Sequence, residues 1–502
     1  MTTQPTSGLH LHPTSLPGPH GSGDLAGAQW FIDRLAAMQQ TWWQMLPVGP
    51  TGYGNSPYQS PSTFAGNPLL IGFEPLVRDG LLSQVEFDSI DVSENGSVDF
   101  DAIIPLRSTV LGTVAASFAD RASGPIKDAF RAFVERHGSI WLEDFALFTA
   151  LKRANELRPW WQWDEGLRSR RPHAIAQAKR ELSGSIQRVR MEQFLFDRQL
   201  GAVRSYASQN GIKLIGDIPI FVAHDSADVW ANRELYHLDS DGMPTVIAGV
   251  PPDYFSVTGQ RWGNPLYDWG RHIESGFGWW ESRLRRMFEL FDLVRVDHFR
   301  GFAASWHIPA DEPTAVNGQW VEAPGQEMFD ALSERFGSLA VIAEDLGLIT
   351  PDVEELRDRY GFPGMKVLQF GFGTESAHAL SEFRSNVVAY TGTHDNDTAR
   401  GWFDSRPEES PAELAAAIDQ LGSTADTFAW DLIGAVMHSV ANTAVIPVQD
   451  LLGLGTEARM NEPGTTVDNW TWRLRRDQLG TDIVDRMARL TIESGRAQRD
   501  PQ

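Results

Sequence analysis

Leu293-Val294-Arg295-Val296-Asp297-His298-Phe299-Arg300-Gly301 is a short apolar run that ends abruptly in charge. Read as an extended strand, it points Arg295 and Asp297 the same way, because side chains alternate with a period of two. The same signature recurs along the chain. It is found at Gln44–Gly49, Lys213–Val222, Leu339–Asp345, Met365–Phe370, Asn386–Asp395 and Ala444–Asp450. Seven such runs are separated by stretches of helical periodicity. One of these is Asp352–Tyr360, opened by Thr350 as N-cap and Pro351 at the first helical position. Alternating strands and helices predict an α/β fold, a (β/α)8 TIM barrel, and the polar residues at the strand ends sit where such a barrel places its active site.

The eighth strand is expected between residues 65 and 200. That interval otherwise reads as helix, for example around Trp141–Phe148, and residues 72–200 are taken as a helical insertion. Residues 224–285, rich in Pro, Gly, Asp and Trp, are taken as a second, loop-rich insertion of the kind that usually carries function. With no repeats and no Pro-rich linker, residues 1–502 are expected to form one catalytic barrel with insertions.

Composition narrows the functions. The net charge is −23, which repels phosphate backbones, so nucleic acid is a poor partner and neutral sugars fit better. With no cysteine, thiolate catalysis, disulfides and Cys-ligated zinc are excluded. Residues 1–24 show neither a basic n-region nor an apolar h-region, and no apolar run approaches the ~20 residues that span a bilayer. The expectation is a cytoplasmic protein without a membrane partner. No glycine-rich phosphate loop or organised metal site is evident, so no cofactor is expected.

The strand ends offer Asp217, Asp297, Glu344, Asp345, Asp395, Asp397 and Asp450. Glycoside chemistry needs two carboxyl groups across the scissile bond, one to attack and one to protonate the leaving oxygen. Asp297 suits the first task, since Arg295 beside it holds a carboxylate ionised. It could equally form a structural Arg–Asp pair. Glu344 suits the second, provided burial or a neighbouring negative charge keeps it protonated, whereas Asp345 fits a helix N-terminal acid. Asp395 is a third carboxylate that could grip sugar hydroxyls in an oxocarbenium-like transition state, and Asp397 is expected to cap the next helix. His10-Leu11-His12 looks like a metal pair, but no strand-like run precedes it. The 18 Trp, 27 Phe and 8 Tyr offer faces for sugar rings, which a non-catalytic sugar-binding protein would need, but such a protein would not need three ordered acids.

Several motifs in order carry a resemblance over nearly the whole chain, from Ser7 to about Arg473. They include Leu11–Pro17, Gly54–Ser60, Gly216–Val222, Pro251–Phe255, Gly259–Pro265, Ala343–Gly347, Thr393–Asn396 and Arg459–Thr465. The chain resembles the amylomaltases, or 4-α-glucanotransferases, of the α-amylase clan, departing from them at His10, Ala26 and Val250. The resemblance implies a distorted barrel and retaining double displacement, with Asp297 as nucleophile, Glu344 as acid/base and Asp395 as transition-state stabiliser. It also implies sugar contacts from Tyr58, Asp217, Tyr254, Trp262, Arg295, His298, Phe370, His394 and Asn461. The implied substrates are α-1,4-glucans, maltooligosaccharides and glucose, handled by a monomer or homodimer. An amylase-like hydrolase on the same scaffold is the alternative.

Overall fold

The computed structural model describes residues 4–91, 96–252, 256–373 and 376–498. In chain order the described strands are β1 (Thr6–His10), β2 (Trp42–Gln44), β3 (Lys213–Pro219), β4 (Val246–Val250), β5 (Gln260–Pro265) and β6 (Leu293–Asp297). They continue with β7 (Ala304–Pro309), β8 (Gln319–Glu322), β9 (Val341–Ala343), β10 (Gly364–Val367), β11 (Val387–Tyr390) and β12 (Thr443–Pro447). Eight of these form one parallel sheet in the order β10-β11-β12-β1-β2-β3-β6-β9. The two outer strands meet where Ala343 N–H donates to Pro363 O at 2.9 Å, so the sheet is nearly closed into a TIM barrel. Ile215, Leu293, Ile342, Val367, Val388 and Val445 pack together as a cluster of buried strand side chains.

The eighth strand is not where sequence periodicity put it. Among the described residues, 65–200 contains no sheet strand, only an isolated bridge between Ser97 and Trp472. The missing strand is β1, at the start of the described chain, paired in parallel with β2 and β12. Its sequence, Thr-Ser-Gly-Leu-His, has one large apolar residue and so lacks the run that marks the others. Gly8 explains part of this: a Cβ there would lie 2.3 Å from Trp42 O, so the close approach of β1 to β2 requires glycine. His10 therefore does end a strand.

Helices occupy most of 73–209, including Phe100–Arg121, Gly124–His137, Glu143–Ala154 and Ser183–Gln209. The last of these holds the 66–72 loop through two glutamines. Gly66 N–H donates to Gln193 Oε1 (2.7 Å), and Gln193 Nε2 returns a bond to Gly66 O (2.8 Å). Gln199 repeats the arrangement with Gly72 (2.7 and 3.0 Å). Phe100–Arg121 is long and apolar enough to cross a membrane by length and composition, contrary to the expectation that no stretch approaches this. It carries a proline and the buried Arg107, which pairs with Asp24 at 2.7 Å. Such a pair ties the helix to the segment that follows β1, as in a packed helix of a globular fold.

Residues 224–285 supply β4 and β5, but their sheet is completed by β7 and β8 from beyond β6, in the antiparallel order β5-β4-β7-β8. The Asp352–Tyr360 stretch is helical over Pro351–Arg359 with Pro at the first turn, although the Thr350 side chain makes no capping bond. Trp43, Trp160 and Trp280 are interior, each at most 1% exposed.

Candidate active site

The site is built at the carboxyl ends of the barrel strands. On β6, the two same-facing residues meet: Arg295 Nη2 donates to Asp297 Oδ1 at 2.8 Å. Its Nη1 reaches Asp217 on the neighbouring β3, at 2.9 Å to Oδ1 and 2.7 Å to Oδ2. Tyr58 Oη donates to Asp217 Oδ2 at 2.8 Å. Burial works against the charge on Arg295, yet Asp217 and Asp297 together hold its proton well above the ordinary range. Burial likewise pushes Asp217 up, to about 7, against the pull of Arg295. The side chain of Asp217 is 1% exposed and that of Asp297 is 32% exposed, so of the two partners of Arg295 it is Asp297 that is open to a ligand.

Glu344 follows β9. Its Oε2 accepts from His298 N at 2.6 Å and its Oε1 from Leu346 N at 2.8 Å. His298 holds a left-handed conformation, φ +56°, uncommon for a residue with a Cβ. The bond to Glu344 thus fixes the turn directly after Asp297. Burial, then the nearby Asp297 charge, pushes Glu344 up to about 8, and the two backbone bonds offset only part of this. Asp345, next in sequence, pairs with Arg357 and accepts from Met365 N at 2.7 Å, a structural role.

The third carboxylate lies on the loop after β11. Asp395 Oδ1 accepts from Asn461 Nδ2 at 2.6 Å and stands 3.3 Å from His394 Nε2. Its carbonyl accepts from Arg459 Nη2 at 2.7 Å. His394 stacks on Tyr58, with centroids 5.1 Å apart and planes 13° from parallel. Burial, followed by Arg295, lowers His394 to about 3, and burial lowers His298 to about 4, which favours the neutral form of both rings. The expected cap from Asp397 is absent: Thr398 caps the helix that follows, accepting from Gly401 N at 3.0 Å. Asp397 instead accepts from Thr398 N and Thr456 Oγ1.

Asp297 and Asp395 open into a cavity of about 290 Å³, lined also by Tyr58, His394, Asn461 and Trp470. Trp262 joins the site edge-on to His298, with centroids 4.8 Å apart. Phe370 is 43% exposed and touches His378, outside this cavity lining. Tyr254 lies outside the described residues. Sequence reasoning missed Trp470, which packs against both Tyr58 (6.0 Å) and His394 (5.9 Å). Its only signal is the turn-like Asp468-Asn469 before it; Asp468 and Trp470 both have positive φ. Asn469 then braces the cavity-lining segment, accepting from Glu462 N (2.9 Å) and donating to Thr465 O (3.0 Å). His10, the other half of the supposed metal pair, stands edge-on to His394 at 6.2 Å. Among the described residues, no group of three or more His, Asp or Glu is gathered as for a metal ion.

A (β/α)8 barrel whose strand ends bring together the Arg-paired Asp297, the buried Glu344 and Asp395, with the two aspartates on an open cavity, has the arrangement of the barrel enzymes that work on glycosidic bonds. More particularly, the chain belongs to the 4-alpha-glucanotransferase family, whose model matches residues 11–478. It is 49% identical to the 4-alpha-glucanotransferase of Thermus thermophilus over 95% of this chain and 96% of that one. It is 45% identical to that of Synechocystis over 99% of both chains. Among solved structures, amylomaltase from Streptococcus agalactiae in complex with acarbose superposes with a TM-score of 0.94, at 35% identity, covering 99% of this chain and 100% of that one. The amylomaltase of Corynebacterium glutamicum shares the fold at a TM-score of 0.76 and 18% identity, with 98% of this chain and 75% of that one covered. The resemblance drawn from the ordered motifs therefore holds.

Proposed function

We propose that the chain transfers α-1,4-glucan segments to the 4-hydroxyl of glucose or another glucan by retaining double displacement. Asp297 attacks the anomeric carbon, the bond to the leaving O4 breaks, and Glu344 gives its proton to that oxygen. Glu344, now a base, takes the proton of the acceptor 4-hydroxyl as that oxygen displaces Asp297. Asp395 supports the oxocarbenium-like transition state by hydrogen bonds to the sugar that strengthen as charge develops. The observation that carries the reading is the division of labour between neighbours. Arg295 donates to Asp297, while burial and the Asp297 charge keep the proton on Glu344.

Around this centre Tyr58 and His394 offer a stacked platform, with the Tyr58 hydroxyl tied to Asp217 and through it to Arg295. Asn461 steadies Asp395, and Trp262 stands edge-on to His298, the residue that follows Asp297. Tyr254 and Phe370 belong to the reading as outer glucan contacts. Maltooligosaccharides and glucose are the proposed substrates, the cytoplasm the proposed compartment, and a monomer or homodimer the proposed state, with neither nucleic acid nor membrane as partner. Transfer prevails over hydrolysis where a bound acceptor excludes water from the intermediate. Incubation with maltotriose tests this: glucose together with chains longer than the substrate supports transfer, and glucose with maltose alone would mean a hydrolase.

A further inference from the structure

Asp450 is among the strand-end acids to which the reaction gives no role. It lies in the short helix Val448–Leu451 directly after β12 and is 1% exposed. Both of its oxygens are used. Thr391 Oγ1 donates to Oδ2 at 2.5 Å, and Ala399 N–H donates to Oδ1 at 2.6 Å. These donors bracket the segment 392–398, which carries His394 and Asp395. One buried carboxylate thus clamps the two ends of the loop that presents the third acid. A second strand end adds a middle tether, with Gln369 Nε2 donating to Asp397 O at 2.9 Å. The loop's own Asn396 closes it by accepting from Thr393 N at 2.8 Å.

We propose that Asp450 is a positioning residue for the transfer reaction, acting through Asp395 by holding both ends of the loop that carries it. The inference rests on the reading of Asp395 as the group that engages the sugar in the transition state. The loop has no strand pairing of its own between Gly392 and Thr398; besides the backbone bond from Asn461 N to His394 O at 3.1 Å, its geometry depends on side chains that follow β10 and β12 and on the Arg459–Asn461 segment. Of these clamps, Asp450 alone grips both ends. Misplacing a group near the reacting centre by about 1 Å can cost on the order of 100-fold in rate.

The test is a double-variant cycle in the full chain, using an activated glycosyl donor so that slow variants stay measurable. Asp450→Ala is expected to lower kcat/KM on the order of 10- to 100-fold with KM changed about twofold or less. Asp450→Asn keeps an acceptor for Ala399 N–H and can donate to Thr391 Oγ1, so it is expected to recover most of the loss. Combined with Asp395→Asn, Asp450→Ala is expected to add nothing, because its effect passes through the group already removed. If Asp450→Ala fails to fold, Thr391→Val, which removes the Thr391 Oγ1 donor to Asp450, takes its place in the cycle. Losses that multiply in the double variant, or a folded Asp450→Ala with wild-type kcat/KM, would overturn the proposal. A fully active Asp395→Asn would instead overturn the reading of Asp395 on which it rests.

Discussion

Arg295 organises the site because its guanidinium is shared between a buried carboxylate and an open one. Replacing it with Met would leave Asp217 buried without its ion partner. Removing one member of such a pair costs about 3–5 kcal/mol, so Arg295→Met should unfold at clearly lower denaturant and lose nearly all transfer activity. Equal stability of the two proteins in urea titration would refute this. In the proposed reaction Glu344 must be protonated for the first step, and burial and Asp297 push it up to about 8. Activity should therefore fall as pH rises through the region of 8, the apparent value belonging to the coupled carboxyl pair. In Glu344→Gln this basic limb should vanish from the pH profile, and activity should survive best on donors whose leaving group needs no proton. Stability follows the same sign. The folded state favours protonated Glu344, a contribution complete below its ordinary value near 4.5 and lost as pH rises through about 8. The three carboxylates were legible in the sequence because each ends a strand-like run. Trp470 was not, since a ring placed by a left-handed turn looks in sequence like any core tryptophan.

At the level of elements, the runs rich in β-branched residues gave themselves away, and β1 did not. Its strand character comes from its neighbours, β2 and β12, and from a glycine that lets Trp42 close in. Gly8→Ala should force these strands apart, with an overpacking cost of about 1–3 kcal/mol. Denaturant unfolding should register it, and an unchanged midpoint would show that β1 can shift without loss. The helical character of 72–200 was also readable, whereas its attachment was not. Gln193 and Gln199 are solvent-like residue types by composition, yet here they satisfy the backbone of a buried loop that reaches the barrel. Gln193→Ala would orphan both the N–H and C=O of Gly66, at about 1–3 kcal/mol for each buried group left unpaired. The same substitution on an exposed helical face should be close to neutral, so the size of the loss measures the clamp. The antiparallel sheet escaped notice because β7 and β8 join β4 and β5 across the intervening β6, a partnership that local periodicity cannot encode.

Across the whole molecule, strand ends from distant parts of the chain converge on one cavity. Tyr58 meets Asp217 across a separation of 159 residues, and Asn461 meets Asp395 from the C-terminal region. The barrel supplies this convergence, and the 53–59 and 461–470 segments then wall it: Trp470 closes on Tyr58, while Val98 N–H donates to Thr471 O at 2.7 Å, joining the helical region to the C-terminal segment. The acidic surface, −23 overall, is compatible with neutral glucans that carry no phosphate. The central step of the proposed reaction is a covalent sugar on Asp297. A fluorosugar donor whose glycosyl-enzyme turns over slowly should stop at that stage, and peptide mass mapping should find the sugar on the segment holding Asp297, with no adduct in Asp297→Asn. Label on Glu344 or Asp395, or turnover with no covalent adduct and an inverted first product, would contradict the account.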